Sequence, residues 1–274
     1  MIDARTARRR FERSAHSYAQ ASRLEAEIGG RMLERLNYVK IAPRRVLDAG
    51  SGPARDARAL AKRYRRADVL ALDFSRAMLH AGRPRLRFFE RRPPKRLCAD
   101  LARQPFAGAS IGLVWSNMAL HWAADPLAAL REFHRVLAVE GLLMFSTLGP
   151  DTLAELRRAA GNARVHSFTD MHDLGDMLIE AGFAEPVMDT ERVTLVYAGG
   201  AALLADLRAS GQTCALSGRA RGLAGRRFHA SLLEKLAAQY QEGKLPVSYE
   251  VVYGHAWKAA PKHTADGRSV IKIF

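Results

Sequence analysis

Cysteine is almost missing from this chain. Cys98 and Cys214 are the only two among 274 residues, too few for a disulfide framework and in no spacing that a metal site uses. Long apolar runs are missing as well: nothing approaches the roughly 18 residues of a membrane span. Residues 1–13 are basic but have no apolar stretch behind them, which argues against a secretory leader, and Asp3 and Glu12 argue against an organelle-targeting helix. A reduced, cytoplasmic setting without membrane or metal is the expectation. Acidic residues are scarce too, 28 against 43 lysines and arginines, for a formal charge of +15. That balance favours an acidic partner, whether nucleic acid, an anionic surface or an acidic protein. The charge lies in short clusters such as Arg8-Arg9-Arg10, Arg91-Arg92, Lys95-Arg96 and Arg226-Arg227. None is interleaved with aromatics as a single-strand binder would be, so no nucleic acid is expected.

What is present is an alternation of periods. Tyr18, Leu24, Ile28, Met32 and Leu36 recur on one face of a helix predicted over residues 15–36. Short, nearly continuous apolar runs follow at residues 46–48, 69–73, 96–100, 111–115 and 142–146, separated by helical patterns at 56–64, after Ser75, and at 125–137. Strands alternating with helices, apolar on both faces, predict a parallel, doubly wound sheet. Beyond Pro150, helices near 152–160 and 170–181, a strand over 187–197, a Gly/Arg-rich loop at 211–227, a helix ending near Gln241 and a strand at 249–253 complete the pattern. The fold expected is therefore α/β: a Rossmann-like, mainly parallel seven-stranded sheet with an N-terminal helix and a C-terminal helical elaboration. Residues 1–40 are expected as a helical cap over the site, 41–260 as the main domain with lid insertions, and 261–274 as a flexible tail.

The chemistry concentrates at the ends of the first four strands. Val46-Leu47-Asp48-Ala49-Gly50-Ser51-Gly52-Pro53-Ala54 is a strand that ends in an acid and enters a Gly-x-Gly turn, where glycine lets a ligand approach the backbone. A dinucleotide site places pyrophosphate at such a turn, and a carboxylate there would repel it. Asp48 instead suits the cationic amino-acid end of S-adenosylmethionine. Asp73 ends the second strand, where a carboxylate can accept from both ribose hydroxyls, with Phe74 and Met78 flanking the adenine. Asp100 and Leu101 after the third strand would reach the adenine edge. Three acids after three successive strands favour S-adenosylmethionine as cofactor, leaving S-adenosylhomocysteine as product. The fourth strand runs into Ser116-Asn117-Met118-Ala119-Leu120-His121-Trp122, which lacks an Asn/Asp-Pro-Pro-aromatic motif and offers no evident catalytic acid. That suits an acceptor needing little activation, such as a carboxylate, ionised at neutral pH.

These residues resemble the malonyl-[acyl-carrier protein] O-methyltransferases of biotin synthesis. The resemblance rests on Phe11-Glu-Arg-Ser-Ala-His-Ser-Tyr18, the Val46–Ala54 loop, Leu72-Asp73-Phe74-Ser75, Ser116–Trp122, Arg135-Val136-Leu137, and Phe145-Ser-Thr-Leu-Gly-Pro150. It implies methylation of the free malonyl carboxyl on acyl carrier protein, an acidic partner that fits the basic surface, by an enzyme expected to be monomeric. It also implies that Tyr18, Asn117 and Met118 lie at the cofactor, and that His121, Trp122 and His166 shape the malonyl pocket with no acid or base among them. The basic side chain that would orient the carboxylate stays open. The chain departs from the family pattern at Ala54, Ser51, Pro53 and Glu140, and in the Arg91–Lys95 insertion. Residues 170–173 and 182–183 also resemble relatives that modify a protein arginine in respiratory-complex assembly. That activity, an RNA methyltransferase and a non-catalytic assembly factor are the competing readings.

Overall fold

Asp3 starts the first helix by accepting a hydrogen bond from the Thr6 amide at 3.1 Å, the usual way an orphan N–H is satisfied. A computed structural model of the chain describes residues 1–82, 92–219, 222 and 224–260. It divides the N-terminal region into α1 (Ala4–Ser14), α2 (Tyr18–Ala21) and α3 (Arg23–Arg35). The single helix predicted over 15–36 is therefore corrected. Serine hydroxyls compete with the helix for backbone partners: Ser17 Oγ donates to Ser14 O at 3.1 Å and to Ala209 O at 2.8 Å. Ser22, with φ −80° and ψ 53°, leaves the helical region. The predicted stripe survives within α3 and just past its end, where Leu24, Ile28, Met32 and Leu36 are all buried.

The sheet follows: β1 (Arg45–Ala49), α4 (Arg55–Arg63), β2 (Asp68–Asp73), α5 (Arg76–Ala81), β3 (Lys95–Cys98), β4 (Ile111–Ser116), α6 (Pro126–Val136) and β5 (Leu137–Leu148). Then come α7 (Ala154–Ala160), α8 (Met171–Glu180), β6 (Ala184–Tyr197), α9 (Gly200–Ala209), α10 (Arg226–Ala237) and β7 (Leu245–Trp257). Among the described residues the strand order is β3-β2-β1-β4-β5-β7-β6. β7 runs antiparallel to both neighbours, and every other pairing is parallel. The seven-stranded, mainly parallel expectation holds.

Chain order reverses between β1 and β4, which pair from Val46–Leu113 to Asp48–Trp115. In open α/β sheets ligands bind outside the carboxyl ends of the strands at such a switch point. Two apolar layers cover the sheet: Ile28, Met32, Leu60 and Trp115 on one side, Leu130, Phe133, Phe145 and Leu178 on the other. Helix α9 had no counterpart in the sequence reading, because Gly199-Gly200 looks like loop punctuation. Gly200 is instead a packing residue, since a Cβ there would lie 2.8 Å from Leu236 Cδ1 of α10. Arg91 and the tail expected at 261–274 lie outside the described residues. Among those described, no helix is long and apolar enough to cross a membrane.

Candidate active site

β1 hands the chain to its turn at Asp48. Gly50 has φ 80° and Gly52 has φ 50°, values that favour glycine. A Cβ on Gly50 would fall 2.2 Å from that of Ala119, so the turn can press against the end of β4 only with glycine there. The turn is tied to β2. Gly50 N and Ser51 N both donate to Leu72 O, at 2.8 and 2.9 Å. Asp73 fastens it from the side: Gly52 N donates to Asp73 Oδ2 at 2.9 Å and Ser75 N to Asp73 Oδ1 at 2.7 Å. Ser75 then accepts from Met78 N to start α5, as the sequence predicted. Burial pushes Asp73 up to about 6 in spite of those two donors. Ala54, which ends the turn, adopts φ 59° and is fully buried. The local cost of that left-handed alanine is about 1–2 kcal/mol.

Beneath the turn lies a buried acid pair. Asp56 Oδ2 accepts from Trp115 Nε1 at 3.1 Å and from Asn117 Nδ2 at 2.9 Å, whereas Asp48 Oδ2 accepts from Ala57 N at 2.8 Å. Burial first, then the neighbouring Asp56 charge, raise Asp48 well above the carboxylate range. Burial raises Asp56 as well, and its two side-chain donors oppose that shift. Asn117 is fully engaged: its Nδ2 also donates to Glu25 O at 2.8 Å, and its Oδ1 accepts from Ser146 Oγ at 2.8 Å. Its amide thus moors α3 to the end of β4, a role the sequence did not suggest.

Two spaces meet over this floor. A cleft is bounded by Gly50, Gly52 and Asp73 below. Phe74, Met78, Asp100 and Leu101 form its side, and Asn117, Met118 and Trp122 its end. Phe11, Tyr18 and Glu25 from the N-terminal helices close it. A recess continues from it along Asp48, Ser51, Arg55 and Asp56. Every residue assigned to the cofactor from sequence therefore faces one of these two spaces. Among the described residues Ser51 Oγ is buried there without a protein partner, a feature that fits a polar ligand at the turn.

A second cavity shares Trp122 and Gln212 with the cleft. Its walls are mostly apolar, including Leu153, Phe168, Leu204, Leu207 and Leu232, and it also receives His121 and His166. Burial drives His121 down to about 3 and His166 to about 4. His121 Nδ1 lies 3.3 Å from Thr147 Oγ1. His166 Nε2 accepts from Ala215 N at 2.7 Å, so its proton sits on Nδ1. The exposed Arg164 and Arg208 stand at the cavity's rim, Arg164 with its guanidinium 4.1 Å over the Phe228 ring.

Comparison with known proteins decides the family. The model of the methyltransferase domain matches residues 47–145. The malonyl-[acyl-carrier protein] O-methyltransferase of Gallionella capsiferriformans is 46% identical, covering 99% of this chain and 97% of its own. That of Laribacter hongkongensis is 47% identical over 96% of this chain and 93% of its own. The chain belongs to this family. It is a class I S-adenosylmethionine-dependent O-methyltransferase. Solved structures agree on the fold alone. The YcgJ protein of Bacillus subtilis superposes with a TM-score of 0.63 at 14% identity, covering 86% of this chain and all (100%) of the other. The Haemonchus contortus phosphoethanolamine N-methyltransferase 2, solved with S-adenosyl-L-methionine, gives 0.52 at 17% identity, covering 85% of this chain and 52% of its own.

For this methyltransferase the sequence missed three groups: Glu25 on the cleft wall, Gln212 at the junction, and the rim arginines. Glu25 carries a faint signal, an acid among the apolar positions of a helix predicted to cap the site. Gln212 and the arginines come from a loop and helices brought in by the C-terminal elaboration, and no local pattern marks them.

Proposed function

We propose that this methyltransferase esterifies the free carboxyl of a malonyl group carried on acyl carrier protein. The reading rests on its relatives' activity and on one observation: a mostly apolar cavity, lined in part by Arg164 and Arg208, that shares Trp122 and Gln212 with the cofactor cleft. A phosphopantetheine arm enters past Arg164 and Arg208, and the malonyl end reaches the junction. When bound in the cleft, S-adenosylmethionine supplies its methyl as a sulfonium. A new O–CH3 bond forms from the acceptor carboxylate as the S–CH3 bond breaks, its electron pair remaining on sulfur. No proton moves, so the site requires no general base.

The chain's own residues do the rest. Asp73 accepts from the ribose hydroxyls through the lone pairs left free by Gly52 N and Ser75 N. Phe74 and Met78 flank the adenine, and Asp100 with Leu101 meets its edge. Ser51 Oγ and the recess along Asp48 and Asp56 hold the amino-acid end. Tyr18 and Phe11 close the cleft against water, which raises the effective strength of attraction between sulfonium and carboxylate. His121 and His166 stay neutral at physiological pH because of burial, so they shape the pocket and take no proton. The methyl ester hides the malonyl charge, which lets fatty-acid enzymes elongate the chain towards a pimeloyl thioester for biotin.

Filling the second cavity tests this assignment. Leu204→Trp is expected to abolish transfer of labelled methyl to malonyl-acyl carrier protein while leaving S-adenosylhomocysteine affinity within about twofold, a change of about 0.4 kcal/mol. Unimpaired transfer in that variant would show that the acceptor lies elsewhere.

A further inference from the structure

Glu25 is the ionisable group of the site that the scheme above leaves without work. It comes from α3, the helix moored to β4 through Asn117, and it borders both the cleft and the recess that runs along Asp48 and Asp56. One of its oxygens is committed: Gln212 Nε2 donates to Glu25 Oε1. The backbone N–H of Glu25 itself also bonds the carboxylate, which still faces the cleft and the recess. The arrangement is held from outside by the turn after α9. Gly211 has φ 77°, and a Cβ there would sit 2.5 Å from Ser14 Oγ. That close approach presses the loop onto α1 and brings Gln212 across the cleft to α3.

The surroundings of Glu25 are poor in positive charge. Tyr18 faces it from α2, Arg55 and Asp56 from α4, and Asp48 from β1. Asp206 of α9 adds a negative charge, and Tyr197 of β6 and Tyr249 of β7 feel Glu25 as one. Arg55 is the single cation of this group, and its guanidinium is turned to the carbonyls of Ser22 and Ala19. Carboxylates outnumber cations around a space meant for a ligand, which matches a ligand that brings positive charge.

Resting on the S-adenosylmethionine reading, we propose that Glu25 is a binding residue for the positively charged methionine half of the cofactor, fixed by Gln212. Its ionisation is then coupled to occupancy of the cleft. Burial, with Asp206 as a further contribution, raises Glu25 to about 7. A cation placed beside it lowers that value, so binding releases a proton and affinity rises with pH. With a midpoint near 7, S-adenosylmethionine affinity is expected to fall about tenfold between pH 8 and pH 6. Asp73, raised to about 6, accounts for at most about twofold of any further loss at pH 6.

The test is calorimetric titration of the intact protein with S-adenosylmethionine and with S-adenosylhomocysteine between pH 6 and 8, in buffers of different ionisation enthalpy. The wild type is expected to release about half a proton per S-adenosylmethionine bound through Glu25 at pH 7. Glu25→Gln removes the part of that release and of the affinity profile centred near 7, whereas Asp48→Asn leaves that part in place. Loss of the step for S-adenosylmethionine alone assigns Glu25 to the sulfonium, and loss for both ligands assigns it to the ammonium. The wild-type measurement needs no variant, and thermal melting verifies that Glu25→Gln is folded. Proton release and pH profile unchanged in a folded Glu25→Gln would overturn the proposal. Failure of the wild type to bind either compound would instead overturn the cofactor reading on which it rests.

Discussion

Asp73 carries two loads, and its removal should separate them. In the proposed complex its carboxylate accepts from ribose hydroxyls, and hydrogen bonds to a charged acceptor are worth about 1.5–3 kcal/mol. Asp73→Ala is therefore expected to weaken S-adenosylhomocysteine binding by about 10- to 150-fold. The same carboxylate receives Gly52 N and Ser75 N at 2.9 and 2.7 Å in a position only 5% exposed. Leaving two buried amides unpaired costs about 1–3 kcal/mol each where water cannot replace the acceptor, so the melting temperature must drop as well. Asp73→Asn keeps one acceptor oxygen and turns an amide NH2 towards one of those N–H groups, so it should retain part of the stability and little of the affinity. Calorimetric titration gives the affinities, and thermal denaturation without ligand gives the stabilities. Unchanged affinity in a folded Asp73→Ala would refute the ribose assignment. Unchanged stability would refute the role of Asp73 in fastening the turn.

Arg226 and Arg227, exposed at the start of α10 and next to the Phe228 wall of the second cavity, should meet the acidic carrier. Their double reversal to glutamate is expected to raise KM for the carrier-bound substrate about tenfold or more, by replacing attraction with repulsion, and to spare a small malonyl thioester; equal effects on both would remove the docking role. His166 supplies a pH test of stability. Its folded value, about 4, lies below the ordinary histidine value, so the unfolded chain binds the proton more readily and stability falls as pH drops from about 6.5 towards 4. Protonation would also set an N–H against Ala215 N. Raised carboxylates such as Asp73 work in the opposite sense, losing stability as pH rises through about 6, so the difference between wild type and His166→Gln isolates the histidine; parallel melting curves from pH 7 to 5 would contradict it. Glu140, with φ 62° on the surface, occupies a conformation that costs a non-glycine residue about 1–2 kcal/mol.

The sheet was legible because its strands are buried on both faces and so read as unbroken apolar runs, from Val46-Leu47 to Leu142–Phe145. Strand-end acids were legible because a parallel sheet puts them all at one edge, and Asp48, Asp73 and Asp100 do border the cleft or its recess. Where polar side chains compete with the backbone, the pattern misled: Ser17 and Ser22 break what periodicity alone joins into one helix. Gly199-Gly200 misled in the other direction, since glycine serves there for close helix packing. The roles of Asn117, Glu25 and Gln212 depend on contacts across 92 and 187 positions of sequence separation, which no local period encodes. The acceptor cavity is of the same kind. Its walls come from β5, α7, α9, α10 and β7 together, and only the closed fold places Leu153, Leu207 and Tyr249 around one space.

In the proposed reaction a carboxylate, and not some other acceptor, meets the methyl donor at Trp122 and Gln212. The most direct test is transfer of labelled methyl from S-adenosylmethionine to malonyl-acyl carrier protein, with acetyl-acyl carrier protein alongside. A base-labile label on the malonyl species alone is the predicted result. Label on neither species, in a protein that still binds the cofactor, or label on both alike, would contradict it.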